Sequence, residues 1–183
     1  MTMRQRRPTF WGVILKTTIT HTITYFFIGL LAFTIFNYTN RFAEPGLSSL
    51  MRQTDHPLVA AGPLFQPIRG FLFGLVFYLL RDRLFRREDG WFVAWVMLVV
   101  VGILSTFGPA PGSIEGLIYT TLPVRGQVAG LSEVLLQSLL LSVITYTWVR
   151  HSDATWLNWS LGIFFFIVLL LPALGLLLNQ VTM

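Results

Sequence analysis

Long apolar runs, each interrupted by only a few polar residues, recur along the whole chain. A helix needs about 20 predominantly apolar residues to cross the hydrocarbon core of a bilayer. By that measure the pattern predicts a bundle of about five transmembrane helices, at 11–36, 67–84, 91–107, 131–149 and 156–178. The sequence therefore predicts an all-α integral membrane protein, with residues 1–183 forming a single polytopic membrane domain.

The first irregular stretch, residues 56–66, precedes the second predicted span. We expect that span to begin at Pro67, because proline is favoured at the first position of a helix. A start at Leu58 would instead bury Arg69 near the bilayer centre, at a cost of roughly 2.5–3.5 kcal/mol on insertion scales. The later start leaves Arg69 near the outer interface and makes 56–66 a short re-entrant or interfacial segment.

The second irregular stretch covers residues 105–130 and is rich in glycine and proline. Ser113 is a predicted N-cap for a short helix over 114–122, because a serine hydroxyl can accept a hydrogen bond from an amide of the first turn. Pro123 would end that helix. We expect this helix to lie on or dip into the outer leaflet, and the alternative is an ordinary external loop with one helical turn.

Composition agrees with lipid as the main solvent. Only 11% of the residues are charged and 54% are hydrophobic, whereas soluble domains carry roughly 25% charged residues. The net charge of +5 does not indicate a nucleic-acid partner, because the basic residues flank apolar runs. The chain has no cysteine, which excludes disulfides and thiolate metal sites.

Orientation follows from the distribution of basic residues, since cytoplasmic loops of membrane proteins are enriched in Lys and Arg. In a five-span arrangement, one side carries many more arginines than the other. We therefore predict a cytoplasmic N-terminus, an external C-terminus and residence in a membrane of the bacterial inner-membrane type. The richer side holds Arg4, Arg6, Arg7, Arg81, Arg83, Arg86, Arg87 and Arg150, and the poorer side holds Arg41, Arg52 and Arg125.

Several polar residues are expected at similar depth on the outer side, where they would form a ligand-binding site. Arg69 is predicted to pair with Glu133 or Glu115, since a pair offsets part of the desolvation cost of both charges. The alternative is that such a pair only stabilises the fold. The predicted site residues are Gln66, Arg69, Glu115, Glu133 and Gln137.

The first span is unusually polar, and its polar residues fall on neighbouring helical stripes. They would line a polar path from the cytoplasmic side. His21 alone could instead hydrogen-bond to a neighbouring helix or, as a further alternative, bind haem or a pigment. No cofactor or metal is predicted, because no second histidine is expected inside the membrane. The path residues are Lys16, Thr20, His21 and Thr24.

The chain lacks the short motifs of metalloproteases, serine hydrolases and nucleotide-binding loops. The first functional hypothesis is a small membrane protein that binds or passes a small polar or ionic ligand through the outward-facing site. The second is a non-catalytic accessory or assembly subunit of a larger membrane complex, and the third is an intramembrane enzyme. Besides the lipid bilayer, a second copy of the chain is a candidate partner, because Gly70 and Gly74 form a GxxxG motif.

Overall fold

A computed structural model describes residues 7–181, with side chains described for residues 7–178. Over that range the chain is all-helical and contains no strand. Arg4 and Arg6, two of the arginines used to predict the orientation, lie outside the described residues. The helices are α1 (Phe10–Ile35), α2 (Tyr38–Ala43), α3 (Pro57–Ala60), α4 (Gly62–Leu79), α5 (Arg81–Leu84), α6 (Gly90–Val99), α7 (Ile114–Tyr119), α8 (Val124–Arg150) and α9 (Thr155–Val181), and a π-helical segment, π1 (Val100–Leu104), directly continues α6.

Three of these helices are long and apolar enough to cross a membrane. They are α1, α8 and the part of α9 up to Leu178. These three helices contain the predicted spans 11–36, 131–149 and 156–178, apart from the last residue of the first one. The helical class and these long apolar helices are confirmed, while the count of five spans and the re-entrant segments remain predictions.

The predicted start of the second span is wrong, because α4 already begins at Gly62 and contains Pro67. Pro63 occupies the first turn of α4, where the missing N–H of proline costs nothing. The helix then continues through Pro67 at the loss of one backbone hydrogen bond. Because proline is favoured in the first turn of a helix, the sequence pattern alone is compatible with a start at either proline.

The third and fourth predicted spans also differ from the helices in the structure. The α-helix α6 ends at Val99, and the chain leaves helical structure after the π turn that ends at Leu104. Helix α8 begins at Val124, about two turns before the predicted start at residue 131, with Pro123 at its N-cap position. Gly126 and Gly130, which suggested a loop, lie inside α8.

The short helix α7 begins where the sequence predicted. Its N-cap Ser113 accepts a hydrogen bond from the backbone N–H of Gly116 at 2.9 Å. The helix ends at Tyr119, before the predicted end at residue 122.

Helix α4 runs antiparallel to α1 and touches it backbone to backbone. A Cβ atom added at Gly70 would lie 2.7 Å from the Cα of Thr18, and one added at Gly74 would lie 2.9 Å from the Cα of Ile14. Any larger residue would therefore push the two helices apart. The close approach expected from the GxxxG motif occurs within one chain.

Helix α8 lies beside α1 and α6 and runs antiparallel to both. At its C-terminal end, the carbonyl of Trp148 accepts a hydrogen bond from Lys16 Nζ at 2.9 Å. The hydroxyl of Tyr146 donates to the carbonyls of Arg87 and Glu88, each at 2.9 Å. The turn between α5 and α6 therefore lies at the same end of the molecule as the start of α1.

This end carries the arginines of 81–87 together with Arg150 and covers a small apolar core. By contrast, most of α9 faces outward, and Trp156 and Trp159 are 72% and 70% exposed. The core comprises Val13, Phe77, Leu84, Phe85, Ala94, Leu98 and Leu141.

Candidate functional site

Polar side chains are buried along the faces that α1, α4 and α8 turn toward one another. Many of them are hydroxyls that bond to a carbonyl of their own helix, as Thr17 does to Val13 at 2.8 Å and Ser142 does to Ser138 at 2.8 Å. Such bonds satisfy the hydroxyl without a partner from another helix. The buried polar residues on these helices are Thr17, Thr20, His21, Thr22, Thr24, Gln66, Gln127, Ser138, Ser142 and Thr145.

His21 and Gln66 form the one described side-chain hydrogen bond between α1 and α4. The Nε2 atom of His21 lies 3.2 Å from Oε1 of Gln66, and both residues are buried. The amide nitrogen of Gln66 donates to the carbonyl of Gly62 at 3.1 Å. This confirms the interpretation in which His21 bonds to a neighbouring helix.

The bonds of Gln66 fix the tautomer of a neutral His21. The amide nitrogen of Gln66 donates to the carbonyl of Gly62, so the amide oxygen of Gln66 faces the His21 ring. An amide oxygen can only accept a hydrogen bond. Nε2 of His21 must then carry the hydrogen, which leaves Nδ1 as a bare acceptor. Nδ1 is buried and has no partner among the described residues.

A cavity of about 230 Å³ opens beside His21, between α1, α4, π1 and α8. We call it the Arg69 cavity. Two of the predicted site residues, Arg69 and Gln137, lie on its wall together with His21. The remaining lining residues are mostly apolar: Phe73, Leu98, Gly102, Ile103, Thr106, Ala110, Pro111, Val134, Ser138 and Leu141.

Arg69 is exposed and has no salt bridge among the described residues. Its Cζ atom lies 5.9 Å from the centre of the Phe73 ring. Gly70 packs on Thr18 and Gln66 bonds to His21, so Arg69, between them on α4, is level with residues 18–21 of α1. The register of α4 against α1 sets this level, and the place of Arg69 near the outer interface remains a prediction.

Glu133 lies apart from Arg69, in a second cavity of about 270 Å³ that we call the Glu133 cavity. It accepts a hydrogen bond from the hydroxyl of Tyr38, and Arg41 lines the same cavity. Burial and then the bond to Glu133 raise the pKa of Tyr38, which keeps the phenol protonated. The predicted pair of Arg69 with Glu133 is absent from the described residues.

Glu115 belongs to neither cavity. It lies half-buried in the first turn of α7 and forms no salt bridge among the described residues, so the predicted pair of Arg69 with Glu115 is also absent. A negative side chain in that turn interacts favourably with the helix dipole. The five predicted site residues thus divide into Arg69 and Gln137 in one cavity, Gln66 behind His21, Glu133 in the other cavity, and Glu115 alone.

Two residues near the Glu133 cavity make contacts that were not anticipated from sequence. Arg41 donates to the backbone carbonyl of Gly126 and so holds α2 against the start of α8. Gln127, which is buried, accepts from the N–H of Gly112 at 3.1 Å and donates to the carbonyl of Leu122 at 3.0 Å. No local sequence signal identifies either residue, because both act on segments far away or across a loop.

The predicted polar path begins with Lys16, which is half-buried and also lies 5.5 Å from the Trp148 ring. Thr24 donates to the carbonyl of His21 at 3.2 Å, whereas the hydroxyl of Thr20 has no described partner. The unpartnered hydroxyl of Thr145 on α8 is buried as well. The hydroxyls of Thr20 and Thr145 thus have no partner among the described residues, and the path remains a prediction.

The described residues contain no group of three or more His, Cys, Asp or Glu side chains that could hold a metal ion. Comparison of the chain with protein-family models, characterised proteins and solved structures returns no match. The haem or pigment alternative at His21 stays a prediction that an absorption spectrum of the purified protein would test.

Proposed function

We propose that the chain is a polytopic membrane protein that binds a small anionic ligand in the Arg69 cavity. The observation that carries the proposal is the position of Arg69, level with residues 18–21 inside the long apolar helix α1 and without a salt bridge among the described residues. A cation at that depth is costly to insert and, in membrane proteins, faces water or a ligand pathway. His21 and Gln137 on the same wall supply further polar contacts.

The proposal includes five crossings, in which α4 and the continuous α6–π1 helix span the membrane together with α1, α8 and α9. The bonds of Tyr146 to the 87–88 turn support this arrangement, because they join the turn between α5 and α6 to the C-terminal end of α8. At 1.5 Å per residue, the 18 residues of α4 extend roughly 27 Å, close to the hydrocarbon thickness of about 30 Å. The segment 105–113 would complete the crossing of α6–π1.

Ligand-dependent stabilisation of the protein in mild detergent tests the function. A ligand that binds only the folded state adds about 2.7 kcal/mol at a hundredfold excess over its Kd. We expect one or more small anions, from a panel of carboxylates and inorganic anions, to raise the unfolding temperature saturably. Arg69→Ala should remove that response.

The matched control is Arg125→Ala, since Arg125 is exposed at the start of α8 and lines neither cavity. This variant should retain the full response. A second variant, Arg69→Gln, provides the same test if Arg69→Ala folds poorly. An unchanged response in both folded Arg69 variants would rule out the site.

An accessory subunit of a larger complex is the second candidate, and the exposed surface of α9 favours it. Only 6% of the most apolar 18-residue stretch of α9 is buried by the rest of the chain. A partner helix therefore has room to pack there. Purification in mild detergent with mass spectrometry distinguishes the two: reproducible co-purification of one partner supports the subunit, and a lone or homo-oligomeric species supports the binding protein.

A further inference from the structure

The Arg69 cavity offers a ligand two different polar groups on one wall. The guanidinium of Arg69 packs 5.9 Å from the Phe73 ring centre, and the His21 ring packs against the same phenyl ring with 4.9 Å between centres. The two groups are thus no further apart than the sum of these distances. A single small molecule can therefore contact both.

The two groups require different partners in that ligand: Arg69 requires an acceptor, and His21 requires a donor. Arg69 can only donate and favours an anion, most of all a carboxylate that fits the guanidinium fork. Nδ1 of neutral His21 can only accept, because Gln66 holds the hydrogen on Nε2. Since Nδ1 is buried without a described partner, the free energy of binding gains from a ligand that brings an O–H or N–H group to it.

The other lining residues narrow the class further. No acidic side chain among the described residues lines the Arg69 cavity, so the ammonium of an amino acid would have no counter-charge beside Arg69. Leu98, Ile103 and Val134 give one side of the cavity an apolar surface that suits a short carbon chain. The volume of about 230 Å³ is below the range of roughly 300–1,000 Å³ typical of drug-sized ligands.

We propose that the Arg69 cavity binds a short-chain hydroxycarboxylate, with its carboxylate on Arg69 and its hydroxyl donating to Nδ1 of His21. This inference rests on the proposed function and specifies the ligand class of the same site. Gln66 is then a positioning residue, because it fixes which nitrogen of His21 meets the ligand.

The test uses three probes of similar size on the full chain in detergent: lactate, propionate and alanine. Propionate lacks the hydroxyl, and alanine replaces it with an ammonium. We expect calorimetry to give lactate about tenfold tighter binding than propionate, the ratio that one hydrogen bond typically provides, and no detectable binding of alanine. His21→Phe, which has no acceptor, should bring lactate down to the affinity of propionate while Arg69-dependent binding of both persists.

A measurement on the unmodified protein covers the case in which the His21 variant fails to fold. The nitrogen NMR signal of His21 Nδ1 should show an unprotonated nitrogen, and it should shift with lactate more than with propionate. His56→Gln and His151→Gln remove the signals of the other two histidines for assignment.

The outcomes separate this inference from the proposed function. Equal affinity for lactate and propionate, both lost in Arg69→Ala, overturns the hydroxycarboxylate class and leaves anion binding intact. Lactate binding without a change at Nδ1 means that water alone satisfies that nitrogen, which also overturns the inference. If none of the three probes binds, the inference fails, and the wider anion panel then decides the proposed function.

Discussion

At the scale of single residues, the bond between His21 and Gln66 is the described side-chain hydrogen bond between α1 and α4. It joins two different helices at a buried position. A buried donor left without its partner costs about 1–3 kcal/mol, whereas removing both partners together costs much less. The two side chains should therefore be energetically coupled.

A double-mutant cycle on the ligand-free protein measures this coupling. We expect Gln66→Leu to lower the free energy of unfolding by about 1–3 kcal/mol, because Nε2–H of His21 loses its acceptor. Adding His21→Leu should recover part of that loss and give a coupling energy of about 0.5–3 kcal/mol. Strictly additive effects in denaturant titrations would show that the bond does not contribute to stability.

At the scale of helices, the packing of α4 on α1 determines where Arg69 lies. Gly70 and Gly74 allow the two backbones to touch, and this contact sets both the distance and the register between the helices. The register places Gln66 opposite His21 and Arg69 one turn further along α4. Helix packing of this kind thus decides which polar groups can share a cavity.

Gly70→Ala tests the contact, because its new Cβ would lie 2.7 Å from the Cα of Thr18 and 3.0 Å from the carbonyl oxygen. Over-packing of this type costs about 1–3 kcal/mol, so the unfolding temperature in detergent should fall. Gly162→Ala is the control, since nothing lies within 4 Å of a Cβ at that position of α9.

Both substitutions gain the same preference of alanine over glycine in a helix, up to about 1 kcal/mol. The control should therefore be unchanged or slightly more stable. Equal unfolding temperatures for the two variants would mean that α1 and α4 can separate at no cost.

At the scale of the whole molecule, most of the described basic residues lie at one end. The hydrogen bonds of Tyr146 hold the 87–88 turn beside the end of α8, and Lys16 from the start of α1 reaches the same end. The poorer set of arginines, Arg41 among them, lies toward the opposite end. This arrangement is the one that the positive-inside rule expects of five crossings with a cytoplasmic N-terminus.

Single cysteines introduced at exposed positions test the five crossings, and the absence of native cysteine makes the labelling specific. We expect Glu88→Cys and Ser152→Cys to react with an impermeant thiol reagent only from the cytoplasmic side, and Thr121→Cys only from the outer side. If only α1, α8 and α9 cross, Glu88→Cys will react from the outer side together with Thr121→Cys. Labelling in intact cells and in opened cells distinguishes the two results.

The sequence alone determined those features that depend on neighbouring residues. Apolar runs of sufficient length identified the three long helices α1, α8 and α9, and Ser113 marked the start of α7 because a cap and its helix are adjacent in the chain. Helix boundaries predicted from neighbouring residues were least accurate at helix ends with several prolines or glycines. Either Pro63 or Pro67 could have occupied the first turn of α4, and Gly126 lies within α8 although glycine is frequent in loops.

Only the tertiary structure decided which polar residues meet. Sequence can place Arg69, Glu133 and Gln137 on their helices, but not the rotation and register of one helix against another. The contact at Gly70 sets the register that places Arg69 near the level of His21. The bond from Tyr38 holds Glu133 in a separate cavity. The composition of the site is therefore a property of helix packing, since contacts between distant segments depend on distances that no local pattern encodes.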